Sequence, residues 1–190
     1  EFLTKIISNG IKVNNNVLPS LNSTTNKIKK ELKEIEKQRP LLFGHGDLCF
    51  NNILVEPISG SIKLIDPKAD FIVNKKFAYL DPFYDLAKLN HSFGCFYDSI
   101  VNNMFSISFN KDEYELKIFK PFNYEVANFY FQKIFLEKLI DKELLRILTS
   151  NLFLSMIPLH KDDEQKMGAL LIIGISLFYD IDLKDYILEK

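Results

Sequence analysis

The chain has 190 residues, 47% of them apolar and 13% aromatic, with a formal net charge of −1. That is enough apolar material for a sizeable core and too short a chain to need two, so one domain over residues 1–190 is expected. The 24 basic residues are matched by 25 acidic ones, which argues against a nucleic-acid partner. Two cysteines, Cys49 and Cys95, cannot build a disulfide framework and fit a reducing compartment. No cationic leader precedes an apolar run at the start, so no signal peptide is expected.

In chain order, Leu3, Ile6 and Ile7 suit a short helix or a packing face. Asn14–Asn15–Asn16 and Pro19–Ser20–Leu21–Asn22–Ser23 read as loops. Thr24 or Thr25 is placed to cap a helix running through Gln38, with Ile28, Leu32 and Ile35 as its apolar stripe. Its lysines alternate with Glu31, Glu34 and Glu36, the pattern of a solvated face. Leu41–Leu42–Phe43–Gly44 is an apolar run suited to a buried strand, and Gly44 and Gly46 then allow a tight turn around His45. Asn52–Ile53–Leu54–Val55 reads as a strand. Residues 56–60 turn the chain, and Ser61–Ile65 returns it as the second arm of a hairpin ending at Asp66.

A helix is expected from Pro82 to about Phe93. Two alternating runs, Met104–Phe109 and Tyr114–Phe119, make a second hairpin around residues 110–113. Three helices follow, at roughly Tyr124–Leu139, Lys142–Met156 and Asp162–Phe178. The apolar run Met167–Phe178 falls short of the roughly twenty residues a membrane span needs and reads as a buried core helix. The fold class is therefore α+β, mainly helical.

The chemistry is concentrated between Leu41 and Asp66. His45-Gly46-Asp47 is followed by Asn52 and, at the far end of the hairpin, by Asp66. Phosphoryl transfer needs one carboxylate to orient or deprotonate the attacking hydroxyl. It also needs an amide and a second carboxylate to hold magnesium on the nucleotide phosphates. A hairpin with Asn52 at one end and Asp66 at the other offers two oxygen ligands, and magnesium takes few from protein.

These residues resemble the catalytic core of the aminoglycoside phosphotransferase and choline kinase family, distant relatives of protein kinases. The shared elements are His45-Gly46-Asp47, Asn52, Ile65-Asp66 and, further on, Asp81-Pro82-Phe83-Tyr84-Asp85-Leu86-Ala87. The wording Asp47-Leu48-Cys49-Phe50-Asn51-Asn52 and Ile65-Asp66-Pro67-Lys68, with Phe153–Asp162, resembles a bacterial subgroup found in capsular polysaccharide biosynthesis proteins. The resemblance implies a protein-kinase-like C-terminal lobe that uses Mg2+ and the ATP of the cytoplasm. It implies Asp47 as catalytic base, Asn52 and Asp66 as metal and nucleotide ligands, and His45 and Asp85 as supports of the catalytic loop. The partners implied are a nucleotide and a small-molecule hydroxyl acceptor, a sugar or amino alcohol.

The forty residues before Leu41 do not read as the five-stranded nucleotide lobe of such a kinase, no Gly-x-Gly-x-x-Gly occurs, and the first residue is Glu1. The chain is therefore expected to be a C-terminal lobe completed in cis or in trans, and its activity alone is left open. Two other readings stand beside a small-molecule kinase. One is a non-catalytic binding or regulatory module, and the other is a lobe of a larger bifunctional capsule-biosynthesis protein. Blander roles are weighed for single residues. Asp85 would gain from a helix N-terminus with no function at all. Cys49 reads as a packed thiol, and His91 and His160 as structural. Lys68 is as readily a solvated lysine as a phosphate contact, and the aromatics of Phe122–Phe135 read as core.

Overall fold

The computed structural model describes residues 2–36, 41–68, 79–110, 113–134, 137 and 141–188. The described residues form an α+β fold, mainly helical, with a small mixed sheet. Helix α1 (Phe2–Ser8) leads into two three-residue strands, β1 (Ile11–Val13) and β2 (Asn16–Leu18). Asn14 and Asn15, both at positive φ, make the turn between them, a conformation that asparagine tolerates better than most residues. The loop expected at Asn14–Asn16 is thus the tip of a hairpin, whose three-residue strands are too short for alternation to show. β1 pairs antiparallel with β2 and parallel with β8 (Glu113–Ile118), which pairs antiparallel with β7 (Phe105–Asn110), giving the order β2-β1-β8-β7. The expected second hairpin is thus the larger half of a four-stranded sheet.

Helix α2 (Leu21–Glu36) starts earlier than expected. Ser20 caps it, its Oγ accepting from the Ser23 N–H at 3.2 Å. Thr24 and Thr25 lie inside the helix, where their hydroxyls donate back to the carbonyls of Ser20 and Leu21 at 2.9 Å. The expected end at Gln38 lies outside the described residues. Helix α3 (Pro82–Phe93) opens with Asp81 as N-cap and proline in its first turn. A short α4 (Tyr97–Val101), not foreseen, precedes β7. Helix α5 runs Tyr124–Ile134, and its expected continuation to Leu139 lies almost entirely outside the described residues.

Two helices build the core. α6 (Lys142–Met156) and α7 (Glu164–Phe178) pack side by side, capped by Asp141 and Asp163. Every residue of α7 from Gly168 to Ser176 is buried. Gly174 permits the close approach, since a Cβ there would come within 2.7 Å of Leu154 Cδ2. Ser150 Oγ donates to the Gly174 carbonyl at 2.6 Å, and Ser176 Oγ meets Tyr186 Oη at 2.7 Å, so these three buried hydroxyls are satisfied. No helix among the described residues is long and apolar enough to cross a membrane.

α3 bridges core and site. It packs on α6, where Asn90 Nδ2 donates to Thr149 Oγ1 at 3.1 Å. The aromatics expected to be core divide instead. Phe131 is buried and stacks on Phe93, with ring centroids 4.9 Å apart, whereas Phe122 is 94% exposed and Phe129 and Tyr130 are also exposed. A single helix lying on the body buries one stripe and presents the other side to solvent.

Candidate functional site

The candidate site hangs on two small ribbons. β3 (Leu42–Phe43) pairs antiparallel with β6 (Tyr79–Leu80), and β4 (Ile53–Val55) pairs antiparallel with β5 (Ile62–Leu64). The expectation that Leu41–Gly44 is a buried strand is corrected. The strand forms, but Leu41, Leu42 and Phe43 are exposed, Phe43 at 71%. Its only pairing among the described residues is to a two-residue strand, and a two-stranded ribbon has no second layer to cover it. Between the ribbons, Phe50–Asn52 makes one 3-10 turn, so Asn52 closes that turn rather than opening β4.

Asp85, in the first turn of α3, accepts two backbone hydrogen bonds from the loop. His45 N–H reaches its Oδ2 at 2.7 Å and Gly46 N–H its Oδ1 at 2.8 Å. Charge-assisted bonds of this kind are among the stronger ones, and here they fix two consecutive peptide groups. Gly46 has φ +79°, a left-handed conformation open to glycine. His45 ties the loop to the hairpin: its Nδ1 accepts from the Asp47 N–H at 3.2 Å, and Nε2 lies 3.0 Å from the Ile65 carbonyl. An imidazole that accepts at Nδ1 and meets a carbonyl at Nε2 carries its proton on Nε2.

Asn52 is buried, and its Nδ2 donates to the Asp47 carbonyl at 2.8 Å and lies 3.3 Å from Asp47 Oδ2. That orientation commits the amide nitrogen to Asp47 and leaves Oδ1 as the oxygen available to a ligand. Ile53 stands opposite Leu64, and the Ile65 N–H donates to the Asn52 carbonyl at 3.0 Å, so Asp66 follows one residue beyond Asn52's cross-strand partner. Asp66 sits at φ +55°. Such a conformation persists where neighbouring contacts impose it. Here Ile65 is held by Asn52 and His45 on one side, and the Lys68 N–H donates to the His45 carbonyl at 2.9 Å on the other.

The structure therefore brings Asp47, Asn52, His45 and Asp85 into one hydrogen-bonded unit, with Asp66 on the adjoining end of the hairpin. Among the described residues no group of three or more His, Cys, Asp or Glu forms a metal cage. The donor set that remains, one amide oxygen and one carboxylate, fits magnesium, which keeps most of its positions for water and phosphate.

Lys88 is the site residue that sequence reasoning missed. Its Nζ lies 2.8 Å from Asp47 Oδ1, with the lysine side chain 9% and the aspartate 35% exposed. Its spacing was legible, since Lys88 stands three residues after Asp85 on the same helix and so shares its flank. Lys68 behaves as an exposed lysine, its ammonium 5.7 Å from the Tyr84 ring centroid. Burial first and the Asp47 charge second push the Cys49 thiol up, the opposite of what activates a nucleophile. His91 is fully buried and stacked on Tyr97 at 4.3 Å; burial, then the Lys88 charge, pushes its pKa down to about 3. His160 ends the 3-10 turn Ile157–His160 beyond α6.

Comparison with family models, with curated proteins and with solved structures returned no match to this chain.

Proposed function

We propose that this chain is the catalytic lobe of an ATP- and Mg2+-dependent small-molecule phosphotransferase acting on a hydroxyl of a sugar or amino alcohol, with capsular polysaccharide biosynthesis as its setting. The observation that carries the reading is the Asp47–Asn52–Asp85 unit: a loop aspartate held by an asparagine amide from one side, on peptide groups fixed by a helix carboxylate from the other. A general base needs that kind of fixed placement within reach of the proton it takes.

In this reading the acceptor hydroxyl donates to the Asp47 carboxylate. Its oxygen forms the new bond to the γ-phosphorus as the bond to the β,γ-bridging oxygen breaks. The proton passes to Asp47, and ADP carries away the bonding electrons. Asn52 Oδ1 and the Asp66 carboxylate would hold magnesium, which supplies neutralisation of phosphate charge when bound. The apolar, uncovered faces of β3 and the hairpin give a nucleotide base, or a second lobe in cis or in trans, a surface to cover.

The test is transfer of the γ-phosphate in the full-length protein, with water and a panel of sugars and amino alcohols as acceptors. Asp47→Asn and Asp66→Asn are expected to lower kcat by at least 100-fold, on the scale of losing a general base or a metal ligand. Transfer at the wild-type rate with both changes sinks the assignment. Nucleotide binding without any transfer favours a regulatory module.

A further inference from the structure

Lysine is almost never fully buried unless paired, and Lys88 lies beneath the catalytic loop on α3 with 9% of its side chain exposed. Its ammonium meets Asp47 Oδ1 at 2.8 Å. The neighbouring charges leave it no better-placed partner. Asp85, one turn back, has both carboxylate oxygens engaged by loop N–H groups, and His91, one turn on, is held neutral by burial.

Asp47 is one-third exposed, so solvent screens the pair on that side and rehydrates the aspartate if Lys88 is removed, which limits what the pair adds to stability. The geometric effect is larger. An aspartate carboxyl turns about a broad two-fold torsion, and here that torsion is gripped at both ends. Lys88 holds Oδ1 from the protein side, and the Asn52 amide lies 3.3 Å from Oδ2.

We propose that Lys88 is a positioning residue for Asp47: its ammonium fixes Oδ1 from the α3 side and so presents Oδ2 to the acceptor hydroxyl. This rests on the phosphotransferase reading above. With Oδ1 fixed, proton transfer to Oδ2 proceeds without a rotation of the carboxyl. Methionine would fill the same space at similar length and leave Oδ1 without that contact.

The experiment compares Lys88→Met and Lys88→Arg in the full-length protein, each alone and with Asp47→Asn. It reads ATP hydrolysis with water as acceptor, Mg·ATP affinity by calorimetry, and the urea midpoint as a check on folding. Lys88→Met is expected to lower kcat 10- to 100-fold while Mg·ATP affinity stays within twofold. Lys88→Arg is expected to recover part of the rate, and Lys88→Met to cost nothing further once Asp47 is asparagine. An unchanged kcat, a loss confined to Mg·ATP affinity, or additive losses in the double variant overturns the proposal.

A readout without turnover separates this from the broader reading. The Asp47 side-chain carboxyl 13C resonance is expected to move in Lys88→Met and to stay in place in Lys161→Met, a change at an exposed lysine. A wild-type protein that transfers no phosphate, with that resonance shifted, sinks the phosphotransferase reading and leaves the Lys88–Asp47 coupling standing. A resonance that does not move overturns the coupling whatever the activity.

Discussion

Helix α7 and the β4–β5 hairpin are both rich in apolar residues, and they end in opposite surroundings. α7 is buried from Gly168 to Ser176, with its hydroxyl and carbonyl groups bonded to neighbours. The hairpin leaves Leu54, Val55, Ile58, Ile62 and Leu64 exposed, Ile62 at 64%. Apolar composition alone therefore says little about stability here. What matters is whether a second layer stands opposite, and the helix has one while the hairpin has none among the described residues. The loop of the candidate site adjoins the hairpin, and α3, which packs on α6, ties that loop to the core through Asp85.

The comparison can be broken at several points. Phe153 is fully buried against α7, so Phe153→Ala is expected to lower unfolding free energy by about 3–5 kcal/mol in urea titration. A loss near zero would move the stabilising core elsewhere. His91 tests the boundary. Its folded pKa of about 3 lies below the ordinary 6.5, so the unfolded chain takes up a proton first as pH falls. Its contribution is thus complete above about pH 6.5 and is lost progressively down to about pH 3. Between pH 7 and about pH 4.5 the wild type should lose about 2–3 kcal/mol more than His91→Phe. Asp98, whose pKa burial raises, acts in the opposite direction in the acid range. It is common to both proteins, so the difference isolates His91.

Asp85→Asn removes one of two acceptors and leaves a loop N–H unpaired, at a cost of about 1–3 kcal/mol. Hydrogen exchange should accelerate at the His45 and Gly46 amides and remain unchanged in α7. Acceleration in both would mean that site and core open together. The smallest effect is expected at Ile62→Ser, within about 0.5 kcal/mol of wild type by urea unfolding, as for other exposed positions. A loss above about 1 kcal/mol would show that something covers the hairpin in solution.

Much of this was readable from the chain because local chemistry dictated it. The helices carry periodic apolar residues, the hairpin is bracketed by Pro57 and Gly60, and the loop, asparagine and two aspartates stand at informative spacings. Burial was not readable where it depends on a covering layer. Leu41–Phe43 has the composition of a core strand and is exposed. The reverse holds for Lys88, a charged residue buried because the partner that satisfies it is brought in from 41 residues upstream. β1 and β2 escaped notice for a related reason: three residues carry too little alternation, and their place is fixed by a pairing with β8 that only the folded chain supplies.

That last pairing bears on the order of events during folding. The side chain of Asn14 holds the Leu116 backbone on both its carbonyl and its N–H, 102 residues away, and reaches the Asp185 carbonyl, 171 residues away. The loop of the candidate site lies in the stretch between residues 14 and 116, which this clasp closes into a ring. Closing so long a ring is entropically slow. The site is thus carried on a segment whose ends are fastened by contacts remote from it, and a change at Asn14 should delay the site's appearance on refolding while touching none of its residues.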